Sequence, residues 1–365
     1  MHIVFAHAGL HRIQRGSEVA FEAIAHQIAT SGRHKVTLLG AGVPLDGRAY
    51  VFKHVPTIAR EKFIKWPKFP LLRSADMYEE LSFAAALACT NGDRGADVTI
   101  CCGYPYSNWS VRRPRLRGTR PKHIFVTQNG DWAASGLPGE PKLFSCDGLI
   151  CTNPTYFSRN ADAWPSVLIP NGLDPLRFYP GKGDRARFGL PSDKPVVLMA
   201  TALQPNKRVL QAIRAISRIP EAHLFVAGDG ELRSEVNELG AKLLGQRFHR
   251  ELVDNSSMPD LYRSADMLLH MTVGESFGNV YIEALRTGIP VIANDEPTTR
   301  WILGEYGHFA DTTSEQAVVE ALLAEISGKR VEHQEAAQWA AERYSWPAIA
   351  SKYLDFIEEV ADRHR

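Results

Sequence analysis

At 365 residues the chain exceeds what one comfortable hydrophobic core holds, so two domains are expected. A 44% hydrophobic and 23% charged content describes an ordinary soluble globular protein, and a formal net charge of +1 argues against a dedicated nucleic-acid binder. Five cysteines (Cys89, Cys101, Cys102, Cys146, Cys151) have no metal-ligand spacing and read as free thiols of a reducing compartment.

Met1-His2-Ile3-Val4-Phe5 enters a strand directly, with no basic n-region or cleavage site. No apolar run approaches the roughly 20 residues that span a bilayer, and a cytoplasmic location is expected. The strand covers His2 to Ala6, a loop with two glycines covers Ala8 to Ser17, a helix covers Glu18 to Thr30, and a second strand covers Val36 to Leu39. This is a βαβ opening. Its Arg15-Gly16-Ser17-Glu18 turn sits where strand feeds helix, the place where open α/β sheets bind ligands. A tight turn with no ligand is the competing reading of Gly16 and Ser17.

Between Arg60 and Arg73 the basic residues Arg60, Lys62, Lys65, Lys68 and Arg73 alternate with Phe63, Ile64, Trp66, Phe69, Leu71 and Leu72. A second run, from Arg112 to Lys122, carries Arg112, Arg113, Arg115, Arg117, Arg120 and Lys122 with no acid. Such interleaving suits the anionic inner face of a membrane or an anionic acceptor; the alternative is a solvated face whose apolar residues pack inward. A small-residue helix is expected over Ala84 to Cys89, and strands over Val98 to Cys102, Ile124 to Thr127 and Gly148 to Thr152. Gln128 and Asn129 follow the second of these strands, and Asn153-Pro154 starts a helix after the third.

Val167 to Ile169 runs into Pro170-Asn171-Gly172, and Pro175 to Asp184 is rich in Pro and Gly, so a domain boundary is expected near Pro180. The domains are then 1–178, joined by a returning tail 346–365, and 179–345. The second half opens with a strand over Pro195 to Ala200, a helix over Val209 to Ile219 and a strand over His223 to Ala227. Gly228-Asp229-Gly230 turns into the next helix. Leu261, Tyr262 and Ala265, after Met258, are expected to pack inward. Asp295 and Glu296 read as surface loop. The tail is helical from Ala317 to Val360, broken at Ser345-Trp346-Pro347, with Tyr353, Phe356 and Ile357 as its apolar face.

The most informative stretch is Val273-Gly274-Glu275-Ser276-Phe277-Gly278-Asn279-Val280-Tyr281-Ile282-Glu283-Ala284-Leu285. Asn279 to Thr287 reads as a helix with Val280, Ala284 and Leu285 on its apolar side, Gly288 as its stop and Pro290 as the start of a strand. Gly278 lets a ligand approach the backbone, and the free N–H groups of the first turn face an anion. Glu275 lies before the helix and Glu283 within it. Two carboxylates flanking an anion site suit a phosphate bonded to sugars.

This segment resembles the E-x7-E stretch of retaining GT-B glycosyltransferases, glycosyltransferase family 4 in particular. Ile169 to Asp174 resembles the family's hinge, Gly228 to Leu232 its glycine pair, and Met258 to Asp266 its P-x-L-Y-x-x-A-D element. The resemblance implies an α/β fold of two Rossmann-like domains facing across a cleft, with the last helix crossing back to the first. It implies transfer of a sugar from a nucleoside diphosphate sugar to an acceptor hydroxyl, with retention. Glu275 would then contact donor-sugar hydroxyls, Glu283 the ribose, and the backbone of Ser276, Phe277, Gly278, Asn279 and Val280 the diphosphate. Lys207 would clamp the diphosphate. The family commonly has an Arg five residues earlier, where this chain has Ala202, and Arg208 is the candidate replacement. Gly228, Gly230 and Met258 would border the nucleotide, while Gly16, Ser17, Gln128 and Asn129 would lie near the phosphate and acceptor.

Many family members have a histidine in the loop where Gln128 and Asn129 stand, and an amide cannot exchange protons near neutral pH. No acidic pair of the Mg²⁺-binding kind is present, so no metal ligand and no resident cofactor is expected. A non-catalytic nucleotide-sugar binder and a nucleotide-sugar epimerase remain alternatives. A dinucleotide-dependent dehydrogenase would want G-x-G-x-x-G in the first turn, which residues 9–17 do not supply.

Overall fold

The computed structural model describes residues 1–13, 15–90, 92–114, 120–135, 139–328 and 334–363; Arg115 and Arg117 of the second basic run lie outside them. The chain folds as two compact units, Met1–Asn171 with Trp346–Arg365, and Gly172–Ser345. Each is a parallel sheet with helices on both faces, the Rossmann-like architecture.

The first unit contains β1 (His2–Ala6), β2 (Lys35–Gly40), β3 (Val51–His54), β4 (Val98–Cys101), β5 (Lys122–Val126), β6 (Gly148–Cys151) and β7 (Ser166–Leu168). Their order in the sheet is β3-β2-β1-β4-β5-β6-β7, all parallel. Central strands covered on both faces must be apolar on both, which is why His2–Ala6 reads as a continuous apolar run. Ile3 and Phe5 pack on one side with Phe21 and Ile24; Val4 and Ala6 pack on the other with Phe83 and Leu87. The Trp346–Asp362 helix belongs to this unit and buries Tyr353, Phe356 and Ile357 in the same layer as Phe21.

The second unit contains β8 (Val196–Ala200), β9 (His223–Ala227), β10 (Phe248–Glu251), β11 (Met267–His270), β12 (Val291–Asn294) and β13 (Gly307–Ala310). Their order is β10-β9-β8-β11-β12-β13, again all parallel. Leu198, Phe225 and Leu268 face one helical layer, and Val197, Leu224 and Leu269 the other.

Several expectations shift. The first helix starts at Gly16, two residues early, so the glycine turn is itself helical. The helix before β4 runs from Ala75 to Thr90 rather than from Ala84. Its acidic first half conceals Glu79, whose buried carboxylate is neutralised by Arg12 and Arg60. The strands β3, β10, β11 and β13 were not expected. β3, β10 and β13 are short edge strands with no fully buried residue, where the apolar signal is weakest. β11 is a buried central strand of only four residues, too short to carry a period of its own. The second unit begins at Gly172 rather than near Pro180 because Leu173 donates its N–H to the Tyr344 carbonyl at 2.8 Å. Leu173 and Phe178 are also buried in the second unit's core.

Candidate functional site

In the second unit the sheet order reverses between β8 and β11. The chain leaves β8 toward β9 on one side and leaves β11 toward β12 on the other, so the loops at the carboxyl ends diverge and leave a crevice. Lys207 closes a short 3₁₀ turn, Pro205–Lys207, after β8, and Glu275 lies five residues beyond His270, the last residue of β11. Strand pairing therefore brings together two residues far apart in the chain. Lys207 Nζ donates to Glu275 Oε2 at 2.6 Å. His270 Nε2 lies 3.1 Å from the same oxygen, with its ring nearly fully buried. Burial alone would raise the Glu275 carboxyl, but the hydrogen bond to His270 and the charge of Lys207 hold it down at about 2. Glu275 is thus an anion over the whole neutral range.

The helix Asn279–Thr287 begins directly after Gly278, whose φ of +73° favours glycine. A Cβ there would also come within 2.7 Å of the Tyr281 ring. The amides of a first helical turn lack intrahelical acceptors and carry the positive end of the dipole. Tyr281, Ile282, Ala284 and Leu285 form the buried face; Val280, expected on it, is only partly buried because it sits in the solvent-facing first turn. Phe277 is in the core against Trp301 and Tyr344, which leaves only its backbone for a ligand. Ser276 donates its N–H to Glu275 Oε1 at 3.1 Å. Glu283 accepts a hydrogen bond from the buried Tyr262 hydroxyl at 2.8 Å, and burial pushes its carboxyl above the usual range.

The remaining donor-side candidates are more dispersed. Arg208 has a left-handed backbone, φ +57°, and its guanidinium donates to the Thr312 carbonyl at 3.2 Å. Gly228 and Gly230 are required by packing: an added Cβ would meet the Thr201 carbonyl oxygen at 1.8 Å and that of Leu203 at 2.5 Å. Met258 opens a short helix and packs against the core with Leu261 and Tyr262, which are buried as expected along with Ala265.

In the first unit, Gly16 is exposed at the start of its helix, and Ser17 Oγ donates to the buried Glu18 carboxylate at 2.9 Å. Gln128 bonds to Asn171 through its side chain. Asn129 Nδ2 lies 3.5 Å from His7 Nε2, and Ser17 Oγ lies at the same distance from that nitrogen. A buried imidazole thus stands beside the loop, contributed by the end of β1; burial keeps it below its ordinary value. A pocket of about 340 Å³ opens beside Asn129, lined by Asp131, Trp132, Ser135, Tyr156 and Arg159. Within the second basic run, Arg113 pairs with Asp93 and Arg120 with Asp147. Two of the run's four described charges, those of Arg113 and Arg120, are therefore neutralised internally.

Residues 182–345, nearly the whole second unit, match the family described as glycosyl transferases group 1. This segment is a glycosyl transferases group 1 domain. A phosphatidyl-myo-inositol mannosyltransferase of Mycobacterium tuberculosis is 32% identical over 218 residues, covering 54% of each chain. A lipopolysaccharide core biosynthesis glycosyltransferase of Rhizobium meliloti is 24% identical over 262 residues, 68% of this chain and 74% of the relative. The chain spans about half the length of the mannosyltransferase relatives it matches. Among solved structures, a sucrose-phosphate synthase from Thermosynechococcus elongatus superposes with a TM-score of 0.78 at 18% identity, over 98% of each chain. An Anabaena protein solved with UDP-glucose gives 0.74 at 15% identity, over 98% of this chain and 100% of that one. These likenesses establish the GT-B type of fold for both units.

Two residues of the group 1 domain escaped sequence reasoning. His270 ends the strand β11, which was itself not expected, and stands in no motif. Glu296, expected on a surface loop, instead accepts hydrogen bonds from the backbone N–H of Gly274 at 2.9 Å and of Glu275 at 3.2 Å. It also caps the Pro297–Leu303 helix in a reciprocal arrangement with Thr299. Pro297 at the first helical position was a legible helix-start signal, but Glu296 and Thr299 stand in the reverse of the usual capping order, and neither the cap nor the reach back to Gly274 was legible.

Proposed function

We propose that this protein is a retaining glycosyltransferase that moves a sugar, a hexose by analogy with its mannosyltransferase relatives, from a nucleoside diphosphate sugar to an acceptor hydroxyl. The observation that carries the reading is the convergence of Lys207, Glu275 and the Gly278 helix start at the switch point of the group 1 domain, with Glu283 about one turn further in. The helix start and Lys207 would meet the diphosphate, Glu275 the sugar hydroxyls and Glu283 the ribose. The acceptor oxygen would attack the anomeric carbon as its bond to the diphosphate breaks, and the acceptor proton would pass to the departing phosphate oxygen. Positive groups around that phosphate would then supply most of the rate enhancement. The proposal assigns no resident cofactor and no metal. The His7, Ser17 and Asn129 cluster with its neighbouring pocket is the candidate acceptor face.

A thermal-shift panel of UDP-glucose, GDP-mannose, UDP and GDP tests the reading. A ligand at 100 times its dissociation constant adds about 2.7 kcal/mol of stability. At least one nucleotide sugar should stabilise the protein and release its diphosphate on incubation with acceptor. Stabilisation without release under any acceptor would favour a non-catalytic binder, and release of an epimerised sugar nucleotide an epimerase.

The first basic run supports a further part of the proposal, contact with an anionic lipid surface at the cytoplasmic face. Arg60 is engaged by Asp76 and Glu79, and Phe63 packs inward on Tyr78. Ile64, Trp66 and Phe69 are 70%, 53% and 54% exposed among the exposed lysines Lys62, Lys65 and Lys68. No helix among the described residues is long and apolar enough to cross a membrane, so contact would be peripheral. The protein should co-sediment with phosphatidylserine vesicles and less so as salt rises. Equal and negligible sedimentation with neutral and anionic vesicles would leave a solvated face.

A further inference from the structure

We propose that Glu296 is a positioning residue for Glu275, acting through the backbone of the loop that carries it; the inference rests on the donor-site reading of Glu275. The loop from Met271 to Gly278 joins β11 to the Asn279–Thr287 helix and contains two glycines in left-handed conformation, Gly274 at φ +72° and Gly278 at +73°. Such a loop has little stiffness of its own. Glu296 supplies it from outside: its two carboxylate oxygens take the N–H groups of Gly274 and Glu275, one each. Asn294 Nδ2, 3.4 Å from Glu296 Oε2, and the capped helix fix the carboxylate in turn. Asn294 is itself held, because its Oδ1 accepts from the Thr312 backbone at 3.2 Å and hydroxyl at 3.0 Å. The Glu275 backbone is therefore tied to the end of β12, and its carboxylate separately to His270 and Lys207.

This division has a chemical consequence. A donor that takes up the Lys207 charge removes one of the tethers on the Glu275 carboxylate just when the sugar must be held. The Glu296 tether lies on the backbone and is untouched by that exchange. Glu275 can then change side-chain partner without its loop changing course. Misplacement of a positioned group by about 1 Å can cost on the order of a hundredfold in rate.

Glu296→Ser separates this role from helix capping, since serine is a good N-cap but too short to reach Gly274 and Glu275. In the full chain without ligand, amide exchange of the 273–276 segment should accelerate about tenfold or more in Glu296→Ser, with exchange of the Pro297–Leu303 helix unchanged. With UDP-glucose and GDP-mannose as donors, diphosphate release should fall at least about tenfold in turnover, with a smaller change in donor KM. Glu296→Gln, which keeps one acceptor oxygen, should recover part of both losses. In a Glu275→Ala background Glu296→Ser should add no further loss, because a residue acting through another is not additive with it. Unchanged exchange at 273–276 overturns the proposal without reference to any donor. An impaired Glu275→Ala beside a normal Glu296→Ser also overturns it, whereas a fully active Glu275→Ala overturns the donor-site reading instead.

Discussion

Lys207→Ala should lower turnover by roughly a hundredfold or more, the scale of removing one electrostatic stabiliser from a departing anion. The diphosphate brings about two negative charges, and of the two cations the resemblance leads one to expect, Ala202 removes one. Arg208 donates to the neutral Thr312 carbonyl and keeps its charge, but Lys207 and the helix start are the groups that the motifs place to meet the diphosphate. The substitution also acts on Glu275. Burial favours its neutral form, and Lys207 is one of the partners that hold it at about 2 rather than the ordinary 4.5. Without that partner the carboxyl titrates higher, so the acid limb of the pH–rate profile should move toward neutral as the overall rate falls. Ala202 is exposed, so Ala202→Arg has room for its guanidinium and should be neutral or raise turnover. Steady-state diphosphate release from pH 4 to 9 reads all three effects. Near-normal activity in Lys207→Ala, with a loss in Arg208→Ala, would show that the loop after β8 is misassigned by one residue.

Glu283→Ala and Glu275→Ala should fail in different ways. A ribose anchor is used equally in ground and transition states, so Glu283→Ala should raise the donor KM with turnover little changed. A hydrogen bond to a charged group is worth about 1.5–3 kcal/mol, which corresponds to a rise of roughly tenfold to a hundredfold. Glu275 would touch the sugar that acquires positive charge, and its loss should fall mainly on turnover. Glu283→Ala also strips the buried Tyr262 hydroxyl of its 2.8 Å acceptor, so about 1–3 kcal/mol of stability should go with it. Glu283→Gln still accepts from Tyr262 and should keep most of that stability while remaining weak for the donor. Identical kinetic profiles for Glu275→Ala and Glu283→Ala would defeat the division of roles, and a destabilised Glu283→Gln would defeat the account of Tyr262.

The two kinds of residue in these arguments were not equally visible beforehand. Lys207, Glu275, Gly278 and Glu283 stand in contiguous motifs whose local geometry is set by near neighbours. The Asn279–Thr287 helix and the strands His2–Ala6 and His223–Ala227 agree to the residue with the bounds read from periodicity, glycine stops and apolar runs. Local steric preference and burial on both sheet faces suffice for that, and they act within a few residues. The edge strands were lost for the same reason: half exposed and short, they carry little apolar pattern.

The partners of those motif residues were decided elsewhere. His270 is five residues from Glu275 yet reaches it only because the loop folds back over the end of β11. Glu296 is 21 residues from Glu275, and His7 is 122 from Asn129. These meetings depend on which strands lie side by side and in what register, a choice made by the packing of whole layers. The sequence by itself determined the fold class, the switch-point motifs and the residue types suited to a nucleotide sugar. Only the tertiary structure decided that Lys207 and Glu275 are paired, that Glu296 accepts from the backbone of the loop that carries Glu275, and that a histidine stands beside Asn129 after all. Hydrogen bonds are directional and end within about 3.5 Å, so no spacing along the chain could have placed them.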